Sequence, residues 1–131
     1  MTVINTIDYD KIPATVLHRI TGEIDVEEVR SRMGQTCKIV DSAVRKHGKF
    51  NLIIDSRGLK FTDEAHTLWK QKIEDEPRFK EKMNYLVFVL DYSAKARAAK
   101  KRRENEITRF FYDFDEGIHW LRNHVIPEKK A

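Results

Sequence analysis

Two short apolar runs, Phe50-Asn51-Leu52-Ile53-Ile54 and Tyr85-Leu86-Val87-Phe88-Val89-Leu90, each stop at an aspartate, Asp55 and Asp91. The first is apolar at nearly every position, as in a strand buried on both faces at the centre of a sheet. The second is the most strand-like segment of the chain. Helical periodicities lie before, between and after these runs. Strands that alternate with helices imply a mostly parallel sheet joined by right-handed crossovers.

At 131 residues the chain fits one domain with a proper core, and no internal repeat or low-complexity linker divides it. Its 40% hydrophobic and 35% charged content suits a soluble globular protein. No apolar run approaches the roughly 20 residues of a membrane span. The start lacks the basic and apolar regions of a signal peptide. Cys37 stands alone, so no internal disulfide forms. These features lead us to expect a cytoplasmic protein from a reducing compartment.

The order of elements follows from local signals. Thr2–Ile7 reads as a strand, and turn chemistry around Pro13 leads to a second at Ala14–Thr21, where Val16, His18 and Ile20 alternate against Leu17 and Arg19. So short a link implies an antiparallel hairpin. Asp25 with Glu28 has the spacing of a helix-opening capping box. Val26, Val29, Met33, Cys37, Val40 and Val44 then form a helical stripe, which Gly34 interrupts at a bend or close contact and Gly48 ends. A second helix begins near Thr62 or Asp63, with Ala65, Leu68, Trp69 and Ile73 as its stripe, and stops before Pro77. Residues 93–106 are helical by propensity. Ile107–Tyr112 is a last strand, Asp113–Val125 a closing helix and 126–131 a frayed polar tail. The expected fold is a single α/β domain over 1–131: β-β-α-β-α-β-α-β-α, with a mixed, mostly parallel five-stranded sheet, an antiparallel N-terminal hairpin and about four helices.

Gly22-Glu23-Ile24-Asp25, the Phe50–Asp55 strand, Arg57-Gly58-Leu59, Thr67-Leu68-Trp69-Lys70 and Arg109-Phe110-Phe111-Tyr112-Asp113 with Ile118-His119-Trp120-Leu121 together resemble the SpoIIAA-like branch of the STAS superfamily. The match runs in order through nearly the whole chain, and its specificity lies in that order and spacing. The resemblance implies a compact α/β module of regulatory or sensor type. Apolar ligand or membrane association has been suggested for this branch. In the phosphorylated antagonists of the superfamily the strand–loop–helix corner carries Asp-Ser-Ser-Gly. The matching positions here are Asp63-Glu64-Ala65-His66, so Glu64 stands where the switch serine would be. A glutamate holds one permanent charge, whereas a phosphoserine brings about −1.5 to −2 and can be removed. The resemblance therefore implies a corner that is not switched by phosphorylation in the ordinary way.

The residues themselves make the same corner the place to look, because ligands and partners of open α/β sheets dock at strand-to-helix turns. Asp55, Ser56, Arg57, Gly58, Thr62, Asp63 and Glu64 are the candidate partner or switch positions. Acids in a first helical turn are favoured by the dipole by ~0.3–1 kcal/mol each, so Asp63 and Glu64 also have an ordinary structural explanation. Neighbouring residues on a helix diverge by about 100°, which sets these two against a paired-carboxylate hydrolase. Asp63 and His66 share a helical spacing, but nothing supplies a nucleophile or further metal ligands beside them. His119 and His124 are five apart and do not stack as metal ligands would. No catalytic residue, metal or cofactor is expected.

Phe61, Trp69 and Tyr92 are candidates for an apolar groove between the second helix and the basic one, although a tryptophan on a helical stripe is more often core. The net charge of +4 arises from residues 92–131, which carry 10 basic and 6 acidic side chains. Lys95, Arg97, Lys100, Lys101, Arg102 and Arg103 fall together without an acid between them. At about 100° per residue they spread over the whole helical wheel, so no face emerges for reading nucleic acid or entering a membrane. The only apolar side chains of 93–106 are four alanines, which anchor a helix weakly. The expected role is a non-enzymatic binding module docking a partner protein or a small, partly apolar ligand at the corner. The alternative is peripheral association with an anionic partner or membrane through residues 95–103.

Overall fold

A computed structural model describes residues 3–126, so the expected tail beyond Ile126 lies outside the described residues. The elements are β1 (Val3–Asp8), β2 (Thr15–Ile24), α1 (Val26–His47), β3 (Phe50–Asp55), β4 (Leu59–Phe61), α2 (Asp63–Asp75), α3 (Pro77–Lys82), β5 (Met83–Val89), α4 (Ala94–Arg103), β6 (Thr108–Phe111) and α5 (Phe114–Val125). Five strands run in the order β1-β2-β3-β5-β6. β1 pairs antiparallel with β2, and every other pairing is parallel.

Two elements add to the expected order. Pro77 opens the short helix α3 instead of merely ending α2, because proline fits a first helical turn where its missing N–H goes unused. The Leu59–Phe61 segment, where no strand is expected from the sequence, pairs as β4 with the far half of β2. β2 itself is longer than the alternation at Ala14–Thr21 implies, since its end partners are in β4 and not in β3. Residues 15–19 pair with β3 and residues 22–24 with β4, so the sheet forks beyond Arg19.

Side-chain alternation sorts the core into two layers. Val16, Ile20, Leu52, Ile54, Leu86, Phe88 and Phe110 face α1, α2, α3 and α4. Leu17, Ile53, Val87 and Val89 face α5 through Leu121. All six residues of β3 are buried, as a central strand covered on both sides demands. Each fully buried aliphatic side chain contributes about 1.5–3 kcal/mol.

The helix ends follow the capping signals. The Asp25 carboxylate accepts the Glu28 N–H at 2.9 Å, and Gly48 closes α1 in the left-handed region at φ 79°. Gly34 does not interrupt α1 and meets no neighbour: it is exposed and a Cβ there would touch nothing within 4 Å. Arg78 holds α3 to α1 by pairing with Asp41, and it also pairs with Glu76.

Candidate functional site

The corner after β3 is built around a buried carboxylate. Asp55 lies on the α5 side of the sheet and is 2% exposed. Arg57 grips it with both ends of its fork, Nε to Oδ1 and Nη2 to Oδ2, each at 2.9 Å. The Arg57 backbone N–H also donates to Asp55 Oδ1, at 3.3 Å, and Arg19 from β2 donates its Nε to Oδ2 at 3.0 Å. Burial opposes the charged form of Asp55, but the donors from Arg57 and Arg19 outweigh it and hold the carboxyl below its usual range. The loop closes through Gly58, at φ 77°, whose N–H donates to Asp91 at the end of β5. Ser56 donates its N–H to Val89 O at 3.0 Å.

Asp63 and Glu64 lie on the other side of the sheet, in the exposed first turn of α2. Thr62 caps that turn: its hydroxyl oxygen accepts the Ala65 N–H at 3.1 Å. The expected continuous carboxylate edge is therefore split. Asp55 is turned away and neutralised, and Asp63 and Glu64 alone remain free to face a partner. They rim an open groove of about 450 Å³ between α1 and α2, lined by Val26, Arg30, Thr67, Leu68 and Gln71. Arg30 is paired with Glu27 at 3.3 Å.

Trp69 and Tyr92 do not come together. Trp69 is 7% exposed and stacks on His18, ring centroids 5.0 Å apart, under α1 and α2. Tyr92 is 67% exposed and meets Tyr112 edge-on at 5.0 Å. Trp69 is thus core, the more common place for a tryptophan on a helical stripe, and Tyr92 is at the surface. The Phe61 backbone pairs with Ile24.

The chain superposes on the crystal structure of an uncharacterized DUF3478-family protein from Shewanella loihica PV-4, with a TM-score of 0.63 over 92% of this chain and 93% of that one. That protein is described as having a SpoIIAA-like fold. This chain has a SpoIIAA-like fold. The two sequences are 13% identical, so the likeness is one of architecture. No protein-family model and no curated protein matches the sequence.

Within this SpoIIAA-like frame the six cations of α4 divide. Lys95, Arg97, Lys101 and Arg102 are exposed. Lys100 turns in, donating to Phe110 O at 3.1 Å, and Arg103 lies over the Phe88 and Phe110 rings at 5.5 and 5.6 Å. The wheel could not show this, because which cations turn inward is decided by β6. Ala96 is the one buried residue of α4.

His66 is exposed on α2, and burial together with the charges of Lys70, Lys95 and Arg103 keeps its pKa below the ordinary imidazole value despite Asp63. Burial pushes the half-buried Cys37 thiol up, away from the reactive thiolate form. No group of three or more His, Cys, Asp or Glu among the described residues is placed to hold a metal ion. No helix among them is long and apolar enough to cross a membrane.

The residue that sequence reasoning left out of the corner is Arg19. Its partnership with Asp55 follows from the β2–β3 register, which sets the two side by side. No local motif announces it.

Proposed function

We propose that the protein is a non-enzymatic regulatory binding module that docks a partner protein's segment in the groove between α1 and α2. One observation carries the reading: the groove joins an apolar floor, Val26 and Leu68, to an acidic rim, Asp63 and Glu64, whose carboxylates are exposed. It fits an apolar anchor flanked by a lysine or arginine. The groove is open along its length, whereas small-molecule sites enclose some 70–90% of their ligand, so a protein segment suits it better. The SpoIIAA-like fold supports a regulatory role.

The resemblance that sets Glu64 at the switch-serine position makes this surface constitutive. The hydroxyl oxygen of Thr62, at the start of the corner helix, is used as the α2 cap. Incubation with cognate kinases should leave Thr62 and Ser56 unmodified by mass spectrometry. Stoichiometric phosphate on either would refute a constitutive surface.

A photo-crosslinking residue at Thr67, introduced in cells, identifies the partner. With that partner purified, Leu68→Asp should weaken binding tenfold or more, as loss of an interface anchor costs at least about 1.4 kcal/mol, and Lys101→Asp should not. Equal binding by Leu68→Asp would overturn the reading.

A second reading is favoured by the exposure of Lys95, Arg97, Lys101 and Arg102 on one short helix: peripheral attachment to anionic lipid headgroups, each cation contributing about 1 kcal/mol. Flotation with anionic but not zwitterionic vesicles, lost on reversing these four charges, distinguishes it from the groove.

A further inference from the structure

On the α5 side of the sheet, opposite the α1–α2 groove, the Asp55 corner holds more cation than its carboxylate requires. Arg57 alone satisfies Asp55, with two side-chain donors and its own backbone N–H. Arg19 adds a third side-chain donor through Nε only. Both Nη groups of Arg19 and Nη1 of Arg57 have no acceptor among the described residues. The two side chains are 45% and 39% exposed, so these donors reach solvent.

The two guanidiniums are also held in place. Both lie over the ring of Phe114, the first residue of α5, at 4.8 and 5.7 Å from its centroid. A buried carboxylate behind them and an aromatic platform beneath them fix the planes before any ligand arrives. Little rotamer entropy is then lost on binding. The pair sits where β2 leaves β3 for β4, at the carboxyl ends of parallel strands. The carboxyl ends of parallel strands are where ligands of α/β sheets bind.

Two acids act on Arg57 and oppose this surplus, Asp91 and Asp113. Each has an oxygen committed elsewhere: Asp91 accepts the Gly58 N–H, and Asp113 caps α5 by accepting the Glu116 N–H at 3.0 Å. The positive end of the α5 dipole further offsets Asp113.

We propose that Arg19 and Arg57 form a preorganised fork that binds an oxyanion, a phosphate or carboxylate group, through the Nη donors that Asp55 leaves free. Planar, bidentate recognition of such groups is the chemistry that arginine pairs supply.

The test is a titration of the full chain with inorganic phosphate at constant ionic strength, following the arginine Nε–Hε signals by NMR. Saturable shifts of both Arg19 and Arg57 are expected. Arg19→Ala should weaken phosphate about tenfold or more, the loss of a charge-assisted pair, and leave the melting temperature within a few degrees of wild type. Should Arg19→Ala lose the fold, Arg19→Lys, which keeps the charge without the planar fork, carries the same comparison. Shifts that grow linearly without saturating, or an affinity unchanged in these variants, would overturn the proposal. A phosphoserine peptide that binds more tightly than inorganic phosphate assigns the group to another chain, and equal binding assigns it to a free anion. Leu68→Asp should leave phosphate binding intact, so the groove and the fork stand or fall separately.

Discussion

The imidazole of His18 lies stacked on the indole of Trp69, ring centroids 5.0 Å apart and planes 25° from parallel, with the Thr36 hydroxyl 3.0 Å from its Nδ1. The Thr36 hydroxyl also reaches Arg32 O, at 3.3 Å. The geometry holds a neutral ring: His18 is 1% exposed, and burial pushes its pKa down to about 4 from an ordinary 6.5. Between these two values the unfolded chain binds the proton and the folded chain does not. Stability therefore rises with pH across that window, by about 3 kcal/mol in all, and is flat above it. Urea denaturation from pH 4 to 7 should show this slope, and His18→Asn should remove most of it. A wild-type profile flat through pH 5 contradicts the neutral assignment.

Asp55 acts in the next pH range down. Its carboxyl is held below the usual value by Arg57 and Arg19, so its contribution is whole above about pH 4 and is lost as the pH falls through the depressed value. Asp55→Asn leaves two guanidiniums facing a neutral amide. Because both arginines reach solvent, the loss should be about 1–3 kcal/mol and not the larger cost of stranding a fully buried ion. Thermal unfolding at pH 7 measures it. A melting temperature equal to wild type would show that the corner does not depend on this charge.

How much of this was legible in the sequence depends on the range over which each signal acts. Short-range signals were readable. The Asp25–Glu28 spacing marked a real cap, the β3 run marked a strand buried on both faces, and the alternation in β2 turned His18 inward with Val16 and Ile20. What failed needed a partner from another element. The split between Asp55 and Glu64 follows from β3 alternation set against an α2 that packs on the opposite face. The inward turn of Lys100 is decided by Phe110, ten residues on. Trp69 and Tyr92 stand on elements that follow one another in the chain, yet Trp69 belongs to the His18 layer and Tyr92 to the surface. β4 was missed because three residues carry too little pattern to be called a strand, and only the overhang of β2 gives them a partner.

The two helical glycines should respond to substitution in opposite ways, since Gly34 is exposed and Gly117 is buried. Around Gly34 a new Cβ meets open space, so Gly34→Ala should stabilise the protein by about 0.5–1 kcal/mol through helix propensity. At Gly117 the α5 backbone sits so close to β5 that a Cβ would lie 3.2 Å from Val87 Cγ1, a side chain fully buried in the core. Gly117→Val should cost about 1–3 kcal/mol by overpacking, which outweighs any helical gain. Chemical denaturation of both variants checks the signs, and a stabilised Gly117→Val would mean that α5 can ride outward freely.

β6 ends the sheet, and its free edge is closed by side chains in place of a strand. Residues 108 and 110 present their backbone groups away from β5. Thr108 N–H donates to Asn105 Oδ1 at 2.8 Å, and Thr108 O accepts the Asn105 N–H at 2.9 Å. Phe110 N–H donates to Glu104 Oε2 at 3.1 Å, and Phe110 O accepts from Lys100 Nζ at 3.1 Å. Lys100 and Glu104, one helical turn apart with 3.8 Å between their charges, thus supply the donor and the acceptor that a neighbouring strand would. Unpaired edges template association with other chains, and this one is blunted by charge. The double variant Lys100→Ala/Glu104→Ala frees both groups of Phe110 and should shift the distribution of species in sedimentation velocity towards larger assemblies as concentration rises. Helix content by circular dichroism should stay near wild type, because α4 keeps its Ser93 cap and the buried Ala96. A variant that sediments as the wild type does at every concentration would show that Asn105 alone is enough to close the edge.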